Sequence, residues 1–479
     1  MCTWESDAVH GLHAVYSVSN PGRIPRPALP RRLARVPTLS PRPWSPPRAM
    51  APINARVRVP GSKSETNRAL VLAALASGPS VIGNGLEARD TQLMRDALGA
   101  LGVRIVEQGS TWHVEPPAHL RGNTTIACGL AGTVMRFVPA VAALANGPVT
   151  FDADEQAYAR PMGAILGALA ALGATVESQT DTLPFTLTGD PQLPGGVVTV
   201  DASASSQFVS ALLLVGARFA QGLDLRHDGK AIPSQPHIDM TVAMLRERGV
   251  QVDDTEPDRW VVSPGPIAPL DAAIEPDLSN AAPFLAAAAV TGGSVTVPNW
   301  PSHTHQPGDQ VRDIFERFGA EVRLVGDELT VQGVDALHGV DLDLHEASEL
   351  TPVVAALAAL ADHTSHIRGV AHIRGHETDR LAALEAELDG LGAHVTQTAD
   401  GLTIHPKLLG GNLWRTYADH RMAQAGALLG LVIDDIELDD VSCTGKTMPD
   451  FVDLWTTMVN HAESESGPVS SAEPRSPAR

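Results

Sequence analysis

Lysine is nearly missing from this 479-residue chain: Lys63, Lys230, Lys407 and Lys446 are the only ones, and arginine carries the rest of the 35 basic residues. A lysine kept against that bias is a candidate for chemistry, because ammonium and guanidinium differ in geometry and in how readily they give up a proton. Cysteine is scarce too. Cys2, Cys128 and Cys443 are too few for a disulfide framework and lack metal-ligand spacing, so no metal is expected, and a reducing cytoplasm is the simplest compartment. No apolar run is long enough to span a bilayer; the longest, about Leu350 to Ala361, falls well short. Positive charge is in deficit, 35 Lys+Arg against 55 Asp+Glu for a net charge of -20. That argues against a nucleic-acid binder unless its basic residues cluster. Acid is absent from residues 8–64, where arginine and proline abound. Such a leader is a disordered extension, a transit-like segment or the product of a start codon placed too early, with Met50 an internal alternative. Residues 1–43 are expected to be disordered, as is the Ser/Glu/Pro-rich tail 463–479.

Between these ends one pattern recurs. An Ala/Leu-rich helix stops at a glycine and a short β-branched strand follows, with the glycines at Gly102, Gly173, Gly249, Gly319 and Gly392. Glycine suits the left-handed residue that commonly ends a helix. Near-equal spacing at this period predicts repeated α/β units. A sixth unit would fall near Arg421–Val432, where the same cap is not visible. Segments Ala281–Val290 and Thr351–Ala361 are apolar nearly all round, so they are predicted to be buried helices. The expected fold is α/β, with helices inside, sheets outside, and three units per domain.

Several loop–helix junctions carry chemistry. In VPGSKSETNRALVLAAL (Val59–Leu75) a Ser-rich turn with Lys63 and Arg68 leads into a helix expected from Asn67; such a turn binds anions. GLAGTVMRF (Gly129–Phe137) repeats the theme with Arg136, and Arg160 precedes Pro161. Ser205, Ser206 and Gln207 stand before an apolar helix, either capping it or binding a phosphate or polyol. Glu349 adjoins the buried helix that follows it, where a carboxylate either caps or transfers protons. Glu377 and Arg380 are three apart, which places them on one helical face. Asp419-His420-Arg421 opens another apolar helix, and Lys446 sits in a small-residue turn. So many cations in an acidic chain predict an electropositive cleft for small, multiply anionic substrates.

The ordered set PGSKS, NRA, LAGTVMRF, ARPM, SSQF, ETDR, DHRMA and TGKTMPDF resembles the 5-enolpyruvylshikimate-3-phosphate synthase (3-phosphoshikimate 1-carboxyvinyltransferase) family, in its actinobacterial wording, over about residues 44–459. The resemblance implies transfer of the enolpyruvyl group of phosphoenolpyruvate to the 5-hydroxyl of shikimate 3-phosphate, in the shikimate pathway to chorismate and aromatic amino acids. No cofactor, nucleic acid or membrane is implied, and the expected state is a monomer. The implied architecture is a two-domain inside-out α/β barrel. One discontinuous domain takes 44–60 and 276–462; the other takes 61–275. Lys63, Glu349 and Glu377 are the implied catalytic residues. Shikimate 3-phosphate is implied to meet Lys63, Ser64, Arg68 and the Ser205–Gln207 turn, and also Ser234, Glu349 and His376. The implied phosphoenolpyruvate side comprises Lys63, Gly132, Thr133, Arg160 and Gln207, with Arg380, His420, Arg421 and Lys446 completing it. Arg136 matches that side as well. Glyphosate, an anionic phosphonate, competes with phosphoenolpyruvate in sensitive members, and the resemblance implies that its fit needs a bare Gly132.

The chain departs from the commoner pattern at Leu130, Phe137, His237, His376 and within Asp154–Ala159. The nearest alternative is the sister transferase acting on UDP-N-acetylglucosamine. That enzyme usually has Lys-Asn where this chain has Lys63-Ser64, and a reactive Cys where the region around Tyr158 has none.

Overall fold

A computed structural model describes residues 41–465. All five repeat glycines take positive φ, from 76° at Gly249 to 112° at Gly173, the left-handed conformation that a side chain resists. Each ends a helix that turns into an antiparallel hairpin.

The resulting sheets share one order. Thr124–Ala127 pairs in parallel with Gly147–Asp152, which lies antiparallel to Phe185–Gly189, itself antiparallel to Thr175–Ser178. Four further four-stranded sheets repeat this sequence of one parallel and two antiparallel pairings. A parallel pair needs a crossover. In three of the five sheets a helix inside the unit supplies it: Gly132–Ala142, Gln207–Gly216 or Thr351–Ala359. In the other two the strands are exchanged. Asn54–Arg56 pairs with Ser294–Pro298, and Ala272–Ala273 pairs with Ser80–Gly83. The chain thus crosses twice between two groups of sheets, and Gly61 bridges Pro276 where the crossings meet.

The sixth unit is a truncated copy. Leu413–Trp414 pairs in parallel with Glu437–Leu438 around the helix His420–Gly430, and a second helix, Phe451–Glu465, follows, but among the described residues no hairpin does. Trp44 takes the next strand position, exchanging backbone hydrogen bonds of 3.0 and 2.9 Å with Leu438. Among the described residues the sixth unit thus has no glycine-capped hairpin, and Trp44 supplies the antiparallel partner instead. This docking also moves the expected boundary of the extension, because Arg42 already donates its N–H to Asp440 Oδ1 at 3.0 Å and accepts from Val441. At the far end the helix Phe451–Glu465 runs past the expected start of the tail. The rest of both end segments lies outside the described residues.

Helices apolar on nearly every side are buried, as their pattern requires. Leu278–Thr291 and Thr351–Ala359 are covered along almost their whole length. One continuous apolar core joins Ile53, Val57 and Val59 to residues between Leu278 and Val459. Among the described residues no helix is long and apolar enough to cross a membrane.

Candidate active site

Six equivalent buried helices begin at Lys63, Gly132, Gln207, Leu278, Thr351 and His420, and the residues at or just before every one of these starts line a single cavity of about 750 Å³. A helix N-terminus carries unsatisfied N–H groups and partial positive charge. Six of them aimed at one space make it an anion site before any side chain is counted.

The first of these helices starts earlier than the expected Asn67. Ser62 caps it, its Oγ accepting the Glu65 N–H at 3.4 Å, so Lys63 is the first helical residue. The Lys63 N–H donates to Asp277 Oδ2 at 3.2 Å, while Asp277 Oδ1 caps the helix Leu278–Thr291 through the Asn280 N–H at 2.9 Å. One carboxylate thus ties two helix starts where the chain crosses. Gly132 and Thr133 open their helix without a side-chain cap. Ser205 Oγ accepts the Gln207 N–H at 3.2 Å, whereas Ser206 makes no cap. Glu349 lies in the single turn Ser348–Leu350 before Thr351, and Asp419 caps His420–Gly430.

The two carboxylates of interest sit in different surroundings. Glu377 bonds Lys446 Nζ, and Arg380 Nη2 donates to it at 2.9 Å. The expected one-face helical pair is corrected here: Asp379 caps the helix Arg380–Gly390, so Glu377 precedes it and reaches back to Arg380 from the turn. Burial opposes ionisation of Glu377, yet Lys446, Arg380, His420 and Lys63 together hold its carboxyl well below the usual range. Glu349 accepts only from Ser279 Oγ, at 3.1 Å, and its nearest basic group is His237 Nε2 at 3.8 Å. Burial drops His237 to about 4, so that imidazole is neutral.

The cations differ in the same way. Arg380 is matched by Asp419 at 2.7 Å as well as by Glu377. Arg136 is buried beside Arg160 without an ion pair among the described residues, and burial followed by Arg160 lowers it to about 10. Lys63 is lowered by burial, then supported by Asp90 at 3.7 Å, and lowered again by Lys446 and Arg421. His420 is fully buried with neither ring nitrogen bonded, and His376 is pressed well below its usual value by burial and Arg380. Buried polar groups without partners are rare in folded proteins. Here they surround a cavity and so call for a ligand that is anionic and rich in acceptors.

Most of the sequence-predicted residues line this space, including Lys63, Ser64, Gly132, Arg160, Gln207 and Lys446. Arg68, Ser206 and Ser234 do not. Arg68 lies behind the wall, bonded to Thr241 and Ser210 hydroxyls and to the Ser64 and His237 carbonyls. Sequence reasoning missed Asp90, Asp277 and His372, which lie in no motif, and His345, which opens the segment containing Glu349 but drew no notice; it noted Lys230 only as a scarce lysine. Among the described residues no group of three or more His, Cys, Asp or Glu is placed to hold a metal.

Glu65, two residues beyond Lys63, has its carboxyl pushed up to about 8 by burial and then by Glu275, although the Glu275 N–H donates to it at 3.0 Å. The folded protein therefore keeps a proton that the unfolded chain releases near 4.5. Stability supplied by the protonated form is complete below that value and is lost as pH rises through about 8. Glu65→Gln is expected to match the parent at pH 4 and to exceed it by roughly 2–3 kcal/mol at pH 9, after allowance for partial exposure. Thermal melts at the two pH values measure this; equal midpoints at pH 9 would contradict it.

Comparison with known proteins adds an independent line. The sequence model of the EPSP synthase (3-phosphoshikimate 1-carboxyvinyltransferase) family matches residues 47–455. Among solved structures, EPSP synthase from Acinetobacter baumannii superposes with a TM-score of 0.72 at 24% identity, covering 88% of this chain and 97% of its own. The enolpyruvyl transferase NikO from Streptomyces tendae gives a TM-score of 0.68 at 20% identity, covering 88% and 98%. At these identities the structures establish a shared mixed α/β fold, and the family match speaks to the reaction.

Proposed function

The chain belongs to the EPSP synthase family, and from that premise we propose how its cavity divides the work of the reaction. The reaction moves the enolpyruvyl group of phosphoenolpyruvate to the 5-hydroxyl of shikimate 3-phosphate and releases phosphate. It requires a proton on the methylene carbon, attack by the hydroxyl on the adjacent carbon, then loss of phosphate and of a methyl proton from the tetrahedral intermediate.

The observation that carries the reading is the unmatched positive charge at Arg136 and Arg160 beside six converging helix starts. Phosphoenolpyruvate lies there with Gly132, Thr133 and Gln207, its carboxylate and phosphate shared among Arg160, Arg380, Arg421, Lys446 and His420. Shikimate 3-phosphate lies toward Ser64, Ser205 and His376, with Arg68, Ser206 and Ser234 behind that wall. Lys63 stands between the two substrates and stabilises the charge of the departing phosphate. Glu349, without a Lys or Arg ion pair among the described residues, takes the hydroxyl proton. Glu377 is ionised while only cations face it. An anionic substrate between Lys446 and Arg380 cancels the field that holds its proton away, and burial then favours the acid form. Glu377 thus takes up a proton as phosphoenolpyruvate binds and passes it to the methylene.

The same reading takes the fold as two inside-out α/β lobes of three units each, 44–60 with 276–462 and 61–275. The strand exchanges and the core joining Ile53 to Val459 support that division. It further holds that the protein is a cytoplasmic monomer; sedimentation velocity tests the oligomeric state.

Phosphate release from phosphoenolpyruvate with shikimate 3-phosphate as acceptor tests the function. Release with UDP-N-acetylglucosamine and none with shikimate 3-phosphate would overturn it. A second test concerns glyphosate. A Cβ on Gly132 would lie 3.2 Å from Arg136 Nη1, a tight approach, and 3.4 Å from Gln207 Oε1, an ordinary contact, so Arg136 must yield or the ligand must shift. One added methyl in a tight site costs about 1–3 kcal/mol, roughly tenfold to a hundredfold in affinity. Gly132→Ala is expected to weaken glyphosate by that factor and phosphoenolpyruvate by less. Equal inhibition constants for the two proteins would remove Gly132 from the inhibitor's surroundings.

A further inference from the structure

Three of the chain's four lysines line the cavity, and the third of these, Lys230, has no part in the roles above. Its position is built. Its N–H donates to Ser203 Oγ at 2.7 Å, and its carbonyl accepts from His227 Nε2 at 2.7 Å. His227 Nδ1 in turn accepts the Ala202 N–H at 3.1 Å, which fits the tautomer protonated at Nε2. Ser203 is anchored by Asp201, whose carboxyl is lowered chiefly by the Ser203 hydroxyl and N–H. Gly229 is required for this docking, because a Cβ there would collide with Asp201 Oδ1 and Ser203 Oγ.

The far end of the same loop is pinned across the cavity. His345 Nε2 donates to the Ile232 carbonyl at 3.0 Å, and the Ser234 N–H donates to the His345 carbonyl at 3.2 Å. The loop therefore holds Lys230 at the wall next to Ser203, two residues before Ser205. The Lys230 side chain is exposed and makes no ion pair among the described residues. Along the chain from Pro161 to Gln306 it is the one Lys or Arg among the described residues that line the cavity. Serine hydroxyls bind a phosphate but do not neutralise it.

We propose that Lys230 supplies the positive charge for the 3-phosphate of the acceptor, and so sets the preference for a phosphorylated over an unphosphorylated acceptor. This rests on the functional reading above. Loss of a charge-assisted hydrogen bond is worth about tenfold to a hundredfold in affinity. Binding of shikimate 3-phosphate and of shikimate is measured by calorimetry on the full chain, its Lys230→Gln variant and its Lys230→Arg variant. Lys230→Gln is expected to weaken shikimate 3-phosphate by that factor, leave shikimate unchanged and leave the phosphoenolpyruvate KM within about twofold. Lys230→Arg is expected to recover most of the loss. Unchanged shikimate 3-phosphate affinity, or parallel losses for both acceptors, overturns the proposal. A folded parent that turns over neither substrate pair overturns the functional reading itself, which separates the two failures.

Discussion

Lys63→Met is expected to lower kcat by about a thousandfold, in the range seen when one preorganised charge donor is removed, while the melting temperature changes little. Lys63 sits where the chain crosses between the two groups of sheets, and its side chain faces the cavity and not the apolar core. Its backbone N–H to Asp277 survives the substitution, so the helix start is preserved. Removing one partner of a buried ion pair normally destabilises, but this pair is long, Lys63 Nζ to Asp90 at 3.7 Å, and the substitution also relieves the repulsion of Lys63 by Lys446 and Arg421. Steady-state kinetics with both substrates, together with a thermal melt, separate the effects. A near-normal kcat would remove Lys63 from the catalytic group.

Glu377→Gln is expected to lower kcat by about a hundredfold to ten-thousandfold, the range for loss of a positioned acid or base, without raising the phosphoenolpyruvate KM. Neutralising a carboxylate beside Lys446 and Arg380 leaves the cavity more positive, which favours an anionic ligand. Glutamine keeps one acceptor oxygen, enough for one of the two cations, and the split between kcat and KM is diagnostic. A binding role would raise KM instead. Proton uptake on phosphoenolpyruvate binding, measured by calorimetry in buffers of different ionisation enthalpy, should appear in the parent and vanish in the variant. An unchanged kcat would leave Glu377 as a structural partner of Lys446.

The repeat was legible because its marks are local. A helix that stops at Gly102 or Gly392 needs a left-handed residue there whatever surrounds it, and an apolar segment such as Thr351–Ala359 must be covered by something. The motif residues were legible because they cluster at helix starts, where short polar side chains and free N–H groups leave a recognisable signature. Asp90 carried no such mark. It lies in the sequence DTQLMRD, which reads as an ordinary first helical turn, and only the approach of Lys63 gives it meaning. The Glu377–Arg380 pair was anticipated, but not its setting, since a spacing of three is compatible with a helix or with the turn before one.

The sequence by itself determined the α/β repeat, the burial of its apolar helices, and the presence of cations at their starts. These follow from backbone sterics and solvent exclusion, which act over a few residues. The tertiary structure alone decided that six helix starts face one cavity and that strands near residues 54 and 272 change partners. It also decided that Trp44 completes the sixth sheet. Packing likewise settled that Glu377 lies between Lys446 and Arg380, which hold its proton away, while Glu349 makes no Lys or Arg ion pair among the described residues and has Ser279 and a neutral His237 beside it. Charge interactions depend on distance and burial in space, and residues such as Lys63 and Lys446, far apart in the chain, acquire a shared electrostatic field only when folding brings them together.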